Sequence, residues 1–394
     1  MRILIVEPEC EGHHVALYVK ELLRQIAKCK KITNVTLLTS KKILKYPLIK
    51  ELKKEIKDLR VYTDFNLDYP KNNKNVFSLL FFQINNFFIL KEIYNKKLKK
   101  NNFDYIFINT LDYLEKAISI FGTPFKEIPF SGIFLNPKIH LKKNLLFYLY
   151  YYLLKRLFRI KELKSIFSND KFFVEFCKKK LTKYNHKVSY FAEPVSPLLG
   201  PNKTYSRNFF DFKKKHFVIL VYGALKNSKS IQELLLTINI IKNKNIKVII
   251  AGQQTSYVKK IMAQDYVKKL IINKIVFVSQ GFHNNFKESL IFNASNLVWL
   301  AYKDGSYGSS GILFKAASSK LPVITTKEGL TGWQNKKYEF GVIINLNNYD
   351  DISNKILDIS SNKLKYKKFS NNIFRFFREQ QKFNFANVIL DKII

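Results

Sequence analysis

Short apolar runs of strand length alternate with segments whose apolar residues recur at helical spacing, and this alternation occurs twice along the chain. Strand, helix, strand in succession is what a parallel sheet covered by helices on both faces requires. In the first half, residues 2–6 form a continuous apolar strand, after which Val15, Tyr18, Val19, Leu22, Leu23 and Ile26 fall at helical spacing. Strands are expected again over 35–39, 105–109, 131–135, 165–168 and 188–191. A second series is expected at 217–222, 247–251, 275–278, 296–300, 322–325 and 341–345, with helices over 231–241, 257–270 and 312–318. Between the halves lie Glu193-Pro194-Val195-Ser196-Pro197 and Gly200-Pro201-Asn202, dense in residues that stop helix and strand alike. At 394 residues the chain can build two cores. The expectation is an α/β protein of two doubly wound, Rossmann-like domains, at 1–195 and 216–365. A linker over 196–215 would join them, and a helical segment over 366–394 would return to the first. In such sheets ligands bind beyond the carboxyl ends of the strands, so a crevice lined by those loops is where function is expected.

Composition narrows the class. A hydrophobic fraction of 47% argues against disorder. The net charge of +38 has two readings: an anionic partner, or a drift of composition that also enriches Asn, Ile, Phe and Tyr throughout. No helix-turn-helix, zinc or aromatic-platform signature accompanies the charge, so nucleic acid is not the expected partner. Cys10, Cys29 and Cys177 form an odd, widely spaced set with neither disulfide nor metal-ligand spacing. Glu7, Glu9 and Glu11 interrupt the first apolar run before it reaches the length of a secretory signal, and no run approaches the ~18 apolar residues of a spanning helix. A cytoplasmic protein is expected.

Three loops carry the candidate chemistry. Gly305-Ser306-Tyr307-Gly308-Ser309-Ser310-Gly311 joins a strand to a helix. Its small residues would leave backbone N–H groups open to an anion at a helix N-terminus, a diphosphate being the natural guest. Serine N-caps on an ordinary connection are the plainer reading. Gly223-Ala224-Leu225-Lys226-Asn227-Ser228-Lys229-Ser230 follows the first strand of the second half, with Gly223 suited to a tight turn and Lys229 to a phosphate oxygen. In a lysine-rich chain, a single lysine such as Lys229 is more often a solvated surface group. Glu9-Cys10-Glu11-Gly12-His13-His14 follows the first strand and holds two of the chain's six histidines, which would either bond a substrate or cap a helix.

These loops together resemble the GT-B glycosyltransferases of family 4, which are retaining enzymes that use nucleotide sugars. Gly223, Leu225 and Lys229 are similar to the family's donor-phosphate loop, and Gly281 to its glycine beside the nucleotide base. Residues 311–324, with Ala316 and Pro322-Val323-Ile324, resemble its phosphate-facing helix and the strand after it. Gly329-Leu330-Thr331-Gly332 and Gly341-Val342 resemble its closing region, and Gly12-His13-His14 its glycine-rich loop. The resemblance implies transfer of a sugar to an acceptor hydroxyl. Ser309, Ser310, Gly311 and Lys229 would stabilise the departing diphosphate, His13 would be catalytic, and Gly12 and His14 would face the acceptor. The acceptor would be a glycan or lipid-linked. No Asp-x-Asp pair is present, so no metal and no cofactor beyond the nucleotide sugar is expected.

One departure stands out. The family's paired glutamates would fall at Tyr307 and Lys315, and neither is acidic. A subgroup with a Ser-Ser-Gly loop shares that loss, and this chain resembles it most. The usual partner of the ribose hydroxyls is thereby missing; Glu328 or Asp304 is the sequence's substitute. The same loss makes an inactive GT-B scaffold an alternative, and a sugar-nucleotide epimerase on the same fold is another. Aromatic runs leading into bases, 77–100 and 145–164, are either buried helices or segments lying on an anionic membrane face.

Overall fold

The computed structural model describes residues 1–9, 14–45, 48–56, 58–67, 76–141, 145–196, 198–303 and 308–394 and, of residues 14–16, 45, 48 and 76, the backbone alone. The chain divides into two compact units, Met1–Pro194 with Phe383–Ile394, and Val195–Lys382.

The first unit holds a parallel sheet of β1 (Arg2–Glu7), β2 (Asn34–Thr39), β3 (Arg60–Tyr62), β4 (Tyr105–Ile108), β5 (Phe130–Phe134), β6 (Leu163–Ser168) and β7 (Val188–Tyr190), in the order β3-β2-β1-β4-β5-β6-β7. The second holds β8 (Phe217–Tyr222), β9 (Ile246–Gly252), β10 (Val276–Gln280), β11 (Leu297–Leu300), β12 (Val323–Thr326) and β13 (Gly341–Ile344), in the order β10-β9-β8-β11-β12-β13. Both are doubly wound. The direction of winding reverses between β1 and β4 and again between β8 and β11, which places a ligand crevice beyond those strand ends in each sheet.

The continuous apolar strands follow from burial on both faces. In β1, Leu4 and Val6 join a core with Phe87, Ile118 and Phe158, while Ile3 and Ile5 join another with Leu22, Leu23 and Phe385. Side chains alternate between faces at each residue, so both sets must be apolar. In the second unit Ile219 and Val221 face a core with Val248, Ile250 and Leu234, and Val218 and Leu220 are buried on the other side.

Several elements differ from expectation. Residues 196–215 are not a linker: Asn202 caps a helix, Lys203–Phe209, by accepting from Tyr205 N at 3.0 Å. The Arg207 guanidinium ties this helix to the second unit through the carbonyls of Ala294, Lys213 and His216. Pro201 and Asn202 thus start an element rather than a tether. Of residues 366–394, only Phe383–Ile394 belongs to the first unit. The Lys363–Gln380 helix stays with the second, where Phe376 packs on Phe314, Tyr338 and Phe340. The expected helix over 257–270 is two, Ser256–Met262 and Asp265–Ile272, with Gln264 extended between them; Val258, Ile261, Val267 and Leu270 keep an apolar spacing that hides the break. Strand β3 is a three-residue edge strand without apolar alternation, and the sequence did not announce it. The segment after β1 opens as a π-helix, His14–Val19, before Lys20–Ala27.

One glycine sets the spacing of the second sheet at its carboxyl edge. A Cβ on Gly252 would lie 1.8 Å from the Gly223 carbonyl oxygen, and its φ of +139° is closed to L side chains. Gly252→Ala is expected to cost about 3 kcal/mol or more, through steric clash and backbone strain combined. Chemical denaturation would read this as a lower midpoint at constant m; an unchanged midpoint would contradict the close approach.

Candidate active site

Three adjacent strands of the second sheet end on glycine. Gly223 follows β8 with φ +95°, and its N–H donates to Ala251 O at 2.9 Å. Gly252 closes β9, and Gly281, also at φ +95°, follows β10 and donates to Gly252 O at 3.2 Å. A row of backbone without side chains results, beside the winding reversal.

Lys229 borders this row. It ends a single 3-10 turn, Asn227–Lys229, and its carbonyl accepts from Trp299 Nε1 of β11 at 2.9 Å, which draws the residue beneath the loop. The ammonium donates to the Tyr222 carbonyl and is only 9% exposed. Burial pulls its pKa down from 10.5 to about 7, and Lys226 nearby pushes in the same direction. Among the described residues no carboxylate pairs with it. An ammonium buried with one carbonyl partner is desolvated without a compensating charge.

On the other side of Gly223 stands the Gly311–Ser318 helix, whose Ile312 Cδ1 would meet a Gly223 Cβ at 3.0 Å. Ser310 caps that helix: its carbonyl and its Oγ accept from Leu313 N, at 3.0 and 3.4 Å, and its Oγ meets Tyr302 Oη at 3.1 Å. Gly311 is exposed, nothing stands within 4 Å of where its Cβ would be, and first-turn N–H groups have no intrahelical acceptor. Ser309 is half-buried just ahead of the cap. Gly223, Lys229, Ser310 and Gly311 are thus brought together, and Lys303 N to Ser228 O at 2.9 Å binds the two loops to each other.

Tyr222 carries a second set of contacts that sequence reading missed. Its phenol lies near Glu288, of the Asn285–Ala294 helix, and burial, with that carboxylate nearby, drives the phenol pKa up. Glu288 Oε2 also lies 2.5 Å from Lys315 Nζ, with both side chains 12% exposed. His283 packs near the Tyr222 ring at 5.8 Å and bonds Ser279 at 2.8 Å. Glu328, by contrast, stands exposed at the start of the Gly329–Tyr338 helix beyond β12, without a side-chain cap bond. Gly12, His13, Asp304 and Tyr307 lie outside the described residues, as does the His14 side chain.

The first sheet has its own polar group at the winding reversal. Glu7 ends β1 fully buried and accepts from Asn109 Nδ2, from Thr110 Oγ1 at 2.8 Å and from Glu9 N at 2.8 Å. Burial raises its pKa from 4.5 to about 7 despite those donors. Asp112, half-buried and raised to about 6 by desolvation, accepts from Leu135 N and Asn136 N. The signal in sequence was an acid closing an apolar strand. A carboxyl with a raised folded pKa favours the fold most fully below its unfolded pKa, and loses that contribution as pH rises through the folded value. Thermal and urea unfolding of Glu7→Gln against the unchanged protein should therefore show a gap that grows in the variant's favour by about 3 kcal/mol between pH 4.5 and 8. A gap independent of pH would place the Glu7 proton elsewhere.

Residues 202–376, all within the second unit, match the family model for Glycosyl transferases group 1. No curated protein matches the chain by sequence. Among solved structures, HepE of Anabaena in complex with UDP is similar over 100% of this chain and 99% of its own, at TM-score 0.69 and 12% identity. Sucrose-phosphate synthase from Thermosynechococcus elongatus is similar over 99% and 97%, at 0.69 and 12%. UDP-GlcNAc 2-epimerase from Neisseria meningitidis, bound to UDP-GlcNAc, is similar over 100% and 99%, at 0.60 and 14%. At such identities the likeness establishes the fold, the pair of parallel Rossmann-like sheets of GT-B structures. The group 1 glycosyltransferase match thus lies on the second unit, within a chain that has the GT-B fold.

Proposed function

We propose that this protein is a glycosyltransferase that takes a nucleoside-diphosphate sugar and moves the sugar, with retention, to a hydroxyl of a glycan or lipid-linked acceptor in cell-surface polysaccharide or glycoconjugate synthesis. The observation that carries the donor half is Lys229, a buried ammonium without a carboxylate, beside three glycine strand ends and a serine-capped helix. Departure of the diphosphate is the costly step. Lys229 and the N–H groups of Ser309, Ser310 and Gly311 would meet the charge that develops there, and such donors are typically worth about 3 kcal/mol each in the transition state. Gly281 would border the base and Glu328 the nucleoside. His13 is assigned the catalytic contribution of the first unit, with Gly12 and His14 toward the acceptor. The UDP bound by HepE makes UDP the first nucleotide to try. The chain is read as a member of the subgroup with a Ser-Ser-Gly loop. The basic residue at Lys315 favours a second reading, an inactive scaffold, which sugar-nucleotide turnover separates from the first.

An anion arriving beside Lys229 raises an ammonium pKa that burial has lowered to about 7, so binding should take up a proton. At pH 8, calorimetry of UDP binding in buffers of differing ionisation enthalpy is expected to show uptake of up to about one proton, with affinity falling up to about tenfold per pH unit above 7. Lys229→Met should abolish the uptake and weaken UDP about tenfold or more while leaving the fold intact. Unchanged affinity in that variant would remove the phosphate site from Lys229.

The acceptor side suggests an anionic membrane face, on the cytoplasmic side. Among the described residues no helix is long and apolar enough to cross a membrane. The Val76–Ile93 and Leu145–Arg159 helices both pack on Glu115–Phe121, and together the three expose Phe77, Phe81, Phe88, Phe121, Tyr148 and Tyr152. Lys155, Arg156 and Arg159 are exposed at the end of the second of these helices. Aromatic side chains beside bases suit the interface of acidic headgroups. In flotation, binding should require anionic vesicles, weaken in high salt, and fall when Lys155, Arg156 and Arg159 are neutralised together. Indifference to vesicles at low salt would leave the charge to composition.

A further inference from the structure

We propose that the second unit has a further anion site, at the amino-terminal edge of its sheet, which takes a phosphate dianion, free or as a monoester. It lies at the start of β8, about 17 Å along that strand from the loop that holds Lys229, and does not rest on the nucleotide reading. A cavity of about 210 Å³ opens there, between the turn 213–216, Asn296 ahead of β11, and the corner of the Tyr349–Ser361 and Lys363–Gln380 helices. Pockets for drug-sized ligands begin at about 300 Å³, so the space suits one small charged group and not a nucleotide.

One buried cation builds the site. Arg207 Nη2 donates to Lys213 O and His216 O, both at 2.7 Å, which closes the turn, and Nη1 donates to Asn296 Oδ1 at 3.1 Å and Ala294 O at 3.2 Å. All four acceptors are neutral, and among the described residues no carboxylate pairs with the guanidinium. The same bonds settle which atoms stay uncommitted. Lys213 N donates to His216 Nδ1 at 3.1 Å, so the neutral ring carries its proton on Nε2. Asn296 Oδ1 accepts from Arg207 and, at 3.0 Å, from Val218 N, which leaves the amide N–H groups on Nδ2. Among the described residues nothing accepts from His216 Nε2 or Asn296 Nδ2. Lys214, Lys215 and Lys363 complete the lining, exposed and unpaired with any described carboxylate. Of the acids nearby, Asp358 is held by Lys365, and Asp211 lies near Lys247. Lys363 also opens an 18-residue helix, where its own N–H and that of Leu364 have no intrahelical acceptor, while Asn362 Oδ1 takes Lys365 N at 2.9 Å. Burial, and after it Lys247, Arg207, Lys215 and Lys213, hold the His216 pKa down, as positive charge without a local offset would. Uncommitted N–H donors and ammonium groups around a space of this size match the three acceptor oxygens of a phosphate group.

The test follows the His216 ring by ¹⁵N NMR in the full chain while inorganic phosphate is added at neutral pH and low salt. Before addition Nδ1 should be unprotonated and Nε2 protonated, and phosphate should then shift Nε2 saturably. Lys215→Gln with Lys363→Gln should weaken that binding about tenfold or more, the range of two charge-assisted contacts. Lys259→Gln with Lys260→Gln, a pair of exposed lysines elsewhere in the same unit, should leave it unchanged. Lys229→Met should leave it unchanged as well, which keeps this site apart from the donor site. Flotation with phosphatidic-acid vesicles identifies the source of the phosphate. A loss of flotation in Lys215→Gln with Lys363→Gln assigns a lipid headgroup, and flotation indifferent to those substitutions assigns a soluble anion. An unprotonated Nε2, a response that does not saturate, an equal loss in the Lys259 and Lys260 variant, or a loss in Lys229→Met overturns the site. UDP binding that fails while His216 still responds to phosphate, or the reverse, tells the failure of one reading from that of the other.

Discussion

The close approach of two backbone segments, at Gly223 and Gly252, governs the second unit's active edge. Parallel strands deliver all their carboxyl ends to one side of a sheet, and side chains there would ordinarily fill the space between neighbouring loops. Here Gly252 leaves no atom between β9 and the Gly223 carbonyl, and Gly281 continues the gap across β10. The loop after β8 can therefore fold down until Lys229 reaches back to the Tyr222 carbonyl, with Trp299 fixing it from β11. A larger residue at Gly252 would displace the loop and its lysine together.

That arrangement puts charge where the solvent is scarce. Lys229 has lost much of its hydration, which is why its proton is loosely held; an anion in the same place would be felt strongly, because little water lies between. Glu7 shows the same principle at the winding reversal of the first sheet, where three donors do not offset the cost of burial. Strand ends at a winding reversal are the positions where buried backbone meets an open crevice. Polar groups placed there are desolvated, and both units carry one.

The first unit is completed by residues from far along the chain. Phe385, Ala386 and Ile389 of the Phe385–Ile393 helix join the core that contains Ile3 and Ile5. The Tyr18 ring meets Phe385 edge-on at 4.9 Å, and the Tyr18 hydroxyl donates to Glu193, which Asn169 also bonds at 2.7 Å. The departure of the chain from this unit at Pro194 and its return at Phe383 are thus fixed around one buried cluster.

Much of the fold was legible because burial on both faces writes itself into sequence as unbroken apolar runs: β1, β8 and β9 needed nothing else. Periodicity also fixed the Ile231–Ile241 helix at its observed bounds. Elements without such a signature were not legible. The edge strand β3 buries too little, and the break at Gln264 leaves the apolar spacing undisturbed. The helix capped by Asn202 begins with the very residues that mark a linker. Of the candidate site, sequence determined which loops matter, through glycines and serines at strand and helix ends. Only the tertiary structure decided that Lys229 is buried rather than solvated, and that Lys315 on one helix is matched by Glu288 on another. The reason is physical: backbone conformation is dictated locally, whereas desolvation and charge pairing depend on which distant side chains share the same small volume.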